Sequence, residues 1–81
     1  MKLADTMEMM TSDNYRERFR AEYYQLDIRI NGLKSMLAKL ADGTLDFTPT
    51  CPVETYEMQL RAMEDYRAIL VMRAKMEDID L

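Results

Sequence analysis

From Cys51 to Met76 the chain has a single proline, Pro52, at its start and no glycine. Such a stretch reads as one long helix. Pro52 suits the first helical position, where its missing N–H is not needed, with Thr50 or Cys51 as N-cap and Glu54 near the positive end of the helix dipole. The apolar residues of this stretch fall in two stripes. Val53, Tyr56, Leu60, Met63, Leu70 and Ala74 form one, interrupted by Arg67; Ala62, Tyr66, Ile69 and Met76 form a second beside it. A helix with so wide an apolar arc cannot stay dry alone, and one partner helix does not cover it.

The first half supplies a partner. Phe19, Tyr23, Leu26, Ile30, Leu33, Leu37 and Leu40 follow one another at alternating steps of four and three, a heptad seam suited to lengthwise packing on another helix. Thr11-Ser12-Asp13-Asn14 clusters N-cap residues, and Asn14 with Glu17 resembles a capping box, so this helix is expected over 14–41. Asn31-Gly32 lies within the seam, yet the heptad phase runs through it. Gly32 is then either a place where a backbone or ligand comes close, or a tolerated weak spot on a solvated face. Asp42-Gly43 provides a left-handed cap, a connection over 42–51 lets Leu45 and Phe47 fold back to close the end, and the second helix spans 52–78. Residues 1–13 form an arm whose Leu3, Met7 and Met10 either dock as a short amphipathic helix or fray.

The expected architecture is all-α: one domain over 1–81, an antiparallel two-helix hairpin with a short N-terminal helix or arm. Self-association is expected as well. An 81-residue chain builds a small core, and Tyr24 and Ile28 on one helix, with Tyr66, Ile69 and Met76 on the other, face away from the seam. These five residues are the candidate interface of a helical homo-oligomer.

Composition excludes several functions. A net charge of -4 and a pI near 4.7 disfavour a binder of duplex nucleic acid. Residues 1–40 nonetheless carry seven Lys/Arg against six Asp/Glu, so a local basic patch can exist on an acidic chain. Without histidine and with Cys51 as the only cysteine, disulfides, classical zinc sites and histidine acid–base catalysis drop out. The expectation is a protein that is no enzyme and has neither cofactor nor metal. The acidic residues lack EF-hand spacing, and no apolar run reaches the length of a membrane span or signal segment, which favours the cytoplasm.

Arg16 and Arg20 project one turn apart from the first turns of the seam helix, beside Tyr23 and Tyr24. Cations there oppose the helix dipole unless something anionic compensates. A phosphate would do so, since guanidinium binds it through two donors and aromatic rings stack on bases. Pairing with Glu17, Asp27 or acids of the second helix would do so equally. Arg67, set in an apolar stripe, must snorkel, pair or bind a ligand. Arg16, Arg20, Tyr23, Tyr24 and Arg67 are therefore the candidate ligand-binding residues.

Cys51-Pro52, Gln59-Leu60, Ala62-Met63, Tyr66, Leu70, Arg73-Ala74 and Glu77 to Leu81, together with Tyr15 to Arg18 and the Leu26 to Leu40 seam, carry a family likeness. Over residues 14–81 the chain resembles a family of small bacteriophage helical-hairpin proteins first noted in crAss-like phages. The resemblance implies a phage-encoded protein in the cytoplasm of an infected bacterial host. Its expected architecture is similar to that of anti-CBASS and anti-Thoeris sponges, which sequester cyclic nucleotide signals of bacterial immunity. The implied function is sequestration of a cyclic nucleotide or ADP-ribose-type immune signal between subunits, without catalysis. The alternatives are an inhibitor that binds a host defence protein, or an accessory of phage structure and assembly.

Overall fold

A computed structural model describes the whole chain, Met1–Leu81, and it is helical throughout with no strand. A 3-10 turn, Leu3–Thr6, runs into the one-turn helix α1, Met7–Met10; the long helices are α2, Tyr15–Asp42, and α3, Val53–Met76. At about 1.5 Å per residue α2 accounts for the molecule's longest dimension, which is 43 Å.

Asn14 caps α2 by accepting the Arg16 N–H at 2.9 Å. The expected reciprocal half of a capping box is not formed, because the Asn14 N–H donates to Ser12 Oγ instead of Glu17. At the other end Gly43 takes φ 80, the left-handed conformation that a side chain would strain. Thr44 and Leu45 N–H groups then close on the Lys39 carbonyl. In α3, Pro52 occupies the N-cap position, one residue earlier than expected. Its carbonyl accepts from Thr55 N–H, and Cys51 is an exposed free thiol without a capping role.

The α2–α3 seam is lopsided. Phe19, Leu26 and Ile30 of α2 and Leu70 and Ala74 of α3 are buried in one cluster, with Tyr23, Leu60 and Met63 packed on its edge. Leu33, Leu37 and Leu40, further along the same heptad seam, are only half-buried. Tyr15 pairs with Glu77, Asp27 with Arg67 and Lys34 with Glu64, so partner numbers fall along α3 as they rise along α2. The two helices therefore run in opposite directions, and the buried half lies where α2 begins and α3 ends.

Two short segments thicken that half. The helix expected to reach residue 78 stops at Met76, because Asp78 turns to φ 57. Ile79 N–H then closes on the Ala74 carbonyl at 2.8 Å and Asp78 N–H on Lys75, the paired bonds of a Schellman ending. Asp stands where Gly is usual, which its short polar side chain tolerates. The turn drops Ile79 into the core cluster beside Ala74.

The arm docks by a different face from the one its apolar spacing suggested. Leu3, Met7 and Met10 stay exposed, Met7 at 62%, while Thr6 is fully buried. Thr6 Oγ1 donates to the Leu3 carbonyl and accepts from Gln25 Nε2 at 3.0 Å, and Met10 Sδ accepts from the same amide. A polar anchor on α2 thus outweighs the apolar stripe. Ala21, one turn before Gln25, is fully buried, and Tyr24 and Ile28 on that side of α2 are half-buried.

Phe47 does not close the end of the helix pair as expected. It remains 56% exposed, while Leu45 is half-buried. Since Ile79 holds the tail in the core, truncating it should destabilise the whole chain: Ile79→Val by about 1 kcal/mol and Ile79→Ala by about 2–5 kcal/mol, read from urea unfolding.

Candidate functional site

The start of α2 gathers arginines against the end of α3. Arg16 Nη1 donates to the Asp78 carbonyl at 2.5 Å, and Arg20 Nε to the Asp80 carbonyl at 2.7 Å. Arg18 Nη1 donates to the Ser12 carbonyl at 2.7 Å. Because the helices are antiparallel, cations that oppose the dipole of α2 sit at the negative end of α3. Tail carbonyls, rather than carboxylates of the second helix, accept from Arg16 and Arg20. Arg16 and Arg20 each commit one donor of the fork to the tail and keep the others.

Beside them lies a three-residue network. Tyr15 Oη donates to Glu77 Oε1 at 2.6 Å, Arg73 Nη2 donates to Tyr15 Oη at 3.0 Å, and Arg73 Nε reaches Glu77 Oε2 at 3.2 Å. The Arg73 guanidinium also stands 5.0 Å over the Phe19 ring, so it joins the polar network to the core's edge. The hydrogen bond from Tyr15 holds the Glu77 carboxyl below its ordinary range, and the same bond raises the Tyr15 hydroxyl above its own. Tyr15 and Glu77 stand outside the candidates drawn from sequence. Only the antiparallel register, which sets the first residue of α2 against the end of α3, would have marked them.

Tyr23 and Tyr24 follow Arg20 within about one turn, their rings edge to face at 5.6 Å. Tyr23 packs on the core, and Tyr24 lies on the side of α2 where the arm docks. Arg67 is elsewhere. It forms an ion pair with Asp27 at 2.6 Å, so its place along α2 is about 16 Å from Arg16. Within one chain the structure brings Arg16, Arg20, Tyr23 and Tyr24 to one end and leaves Arg67 at mid-helix.

Tyr66, Ile69 and Met76 are exposed on α3, Ile69 at 49% and Met76 at 82%. Met58, Ala62 and Met72 are exposed with them. At about 100° per residue, Met58, Ala62, Ile69, Met72 and Met76 fall within an arc of about 80°, nearly opposite the buried Leu70 and Ala74. The outer side of α3 therefore carries an apolar line with Tyr66 at its edge, interrupted midway by the exposed Asp65.

A second feature lies at the far end. Between α2 and the turn that follows it is a cleft of about 390 Å³, lined by Gly32, Ser35, Lys39, Thr44, Asp46 and Phe47 among others. No group of three or more His, Cys, Asp or Glu is arranged to hold a metal ion, and no helix is long and apolar enough to cross a membrane.

The family model described as Sequestin matches residues 13–76. The chain belongs to the Sequestin family. No curated protein and no solved structure matches it. The Sequestin match takes in α2, α3 and the loop between them, and with these the arginines and the cleft. The docked arm and the tail from Glu77, whose carbonyls the arginines grip, fall outside the matched span.

The Tyr15–Glu77 bond gives this Sequestin chain two limits of pH. Glu77 titrates lower in the folded state, so its contribution is present above the unfolded carboxyl range and lost as pH falls through the folded value. Tyr15 titrates higher when folded, so its contribution is complete below the ordinary phenol range and lost as pH rises through the folded value. Stability measured against pH should therefore fall at both ends. Glu77→Gln should flatten the acid limb and Tyr15→Phe the alkaline one, as read by thermal melts across pH.

Proposed function

We propose that this chain is a stoichiometric sequestering protein, a homo-oligomer of antiparallel helical hairpins that holds an anionic nucleotide-type ligand between subunits and does not turn it over. The family name Sequestin suggests sequestration of a ligand. The observation that carries the reading is the arginine end of α2, where Arg16 and Arg20 are fixed by the tail yet keep free donors, with Tyr23 and Tyr24 a turn away. Positioned guanidinium forks are what phosphate requires, and the tyrosine rings add aromatic faces beside them.

The ligand class is a cyclic nucleotide or an ADP-ribose-type signal of bacterial immunity. The setting is counter-defence by a phage, such as a crAss-like phage, acting in the cytoplasm of its host. Subunits meet through the apolar line on α3, at Ile69 and Met76 with Tyr66 at its edge, and Tyr24 and Ile28, half-buried on the side of α2 where the arm docks, form a second contact. Arg67 stays paired with Asp27 in the isolated chain and turns to the ligand where two copies meet. The exposed line on α3 also supports a second reading, an inhibitor that lays this face on a bacterial defence protein.

Native mass spectrometry of protein purified from a host with an active nucleotide-based defence should show discrete oligomers carrying a nucleotide-sized excess mass, released on denaturation. Bare oligomers would favour the protein-binding reading. Arg16→Lys keeps a donor for the Asp78 carbonyl but loses the fork, so it should weaken ligand retention while assembly persists. Ile69→Asp should break assembly. The ligand should raise the melting temperature, and Arg20→Ala should abolish that rise.

A further inference from the structure

We infer that the cleft between the outer side of α2 and the Thr44–Phe47 turn is the seat of a planar, uncharged heterocycle, the base of the nucleotide-type ligand. This rests on the sequestering reading above. Gly32 is the first reason. A glycine in a helix interior weakens the helix relative to alanine, and here nothing in the chain requires it, since a Cβ at Gly32 would meet no atom within 4 Å. The missing side chain leaves bare helix backbone as one wall of a cleft.

The turn that carries Phe47 supplies the facing wall. Phe47 is 56% exposed, yet the turn leading to it is fixed. The Asp42 carboxylate accepts from Thr44 N–H at 3.0 Å and from Thr44 Oγ1 at 2.5 Å, and Thr44 and Leu45 N–H groups close on the Lys39 carbonyl. The bonds from Thr44 hold the Asp42 carboxyl below its ordinary range. An exposed aromatic ring on a braced turn is a stacking platform.

The cleft's charge selects what sits there. It is lined by one cation, Lys39, and one anion, Asp46, with the hydroxyls of Ser35 and Thr44. Its Lys39 and Thr44 side also lies at the negative end of α2, which disfavours phosphate there. A base offers neutral donors and acceptors to such a wall, and about 390 Å³ is within the range of small-molecule sites. Along α2, Gly32 is about 24 Å from Arg16, so a ligand whose base fills the cleft of one copy meets the arginines of another.

The test is NMR titration of the intact protein with ADP-ribose and cyclic di-AMP, which carry adenine, and with ribose 5-phosphate, which carries no base. The adenine-bearing probes should move the Gly32 and Phe47 amide signals, and ribose 5-phosphate should not. Gly32→Leu and Phe47→Ala should each weaken adenine-probe binding about tenfold or more. Gly32→Leu should melt at an equal or higher temperature, so its lost binding would not be misfolding. Binding unchanged to within about twofold in both variants, with signals moving at Arg16 and Arg20 alone, would overturn the cleft and leave sequestration standing. Absence of binding of every probe to the unaltered protein would overturn both.

Discussion

Burial of Ile79 between the two long helices is the contact on which the rest of the molecule depends. Only eight of 81 residues are buried, and the apolar cluster joins Phe19, Leu26 and Ile30 to Leu70, Ala74 and Ile79 at one end of the helix pair. A cluster so small cannot lose a member without loosening the whole. The turn that brings Ile79 inward also sets the tail carbonyls in front of Arg16 and Arg20. Core and candidate site are thus built by the same reversal of the chain.

Electrostatics follow from that arrangement. Arginines in the first turns of α2 are unfavourable for an isolated helix, but the antiparallel partner presents its negative end and its last carbonyls to them. Backbone carbonyls hold the Arg16 and Arg20 guanidiniums in place, while the charge of Arg16 also acts on the nearby Glu77 carboxylate. Glu77 is spent on Tyr15 and Arg73 and does not occupy the Arg16 and Arg20 forks.

The opposite end is organised by what is missing. Beyond Ile30 no arm or tail covers the seam, so Leu33, Leu37 and Leu40 remain half-exposed; the apolar line on α3, from Met58 to Met76, faces solvent at both ends of the helix pair. A single copy therefore leaves half of the heptad seam and the second stripe of α3 only partly buried or exposed. The cleft beside Gly32 lies on the outer side of α2, away from this line.

Periodicity in the sequence was enough to determine two long helices, their shared seam, the Asn14 cap and the Gly43 stop, because each depends on residues within a turn or two of one another. The exposed second stripe on α3 was legible for the same reason. What tertiary structure decided are pairings between distant positions. Asp27 with Arg67, Tyr15 with Glu77, and Arg16 with the Asp78 carbonyl depend on the register of two helices, which local spacing does not contain. The arm shows the limit most clearly. Leu3, Met7 and Met10 have helical spacing, yet one buried hydrogen bond between Gln25 and Thr6 turns them outward, since a polar group that leaves water must find its partner before apolar area can count.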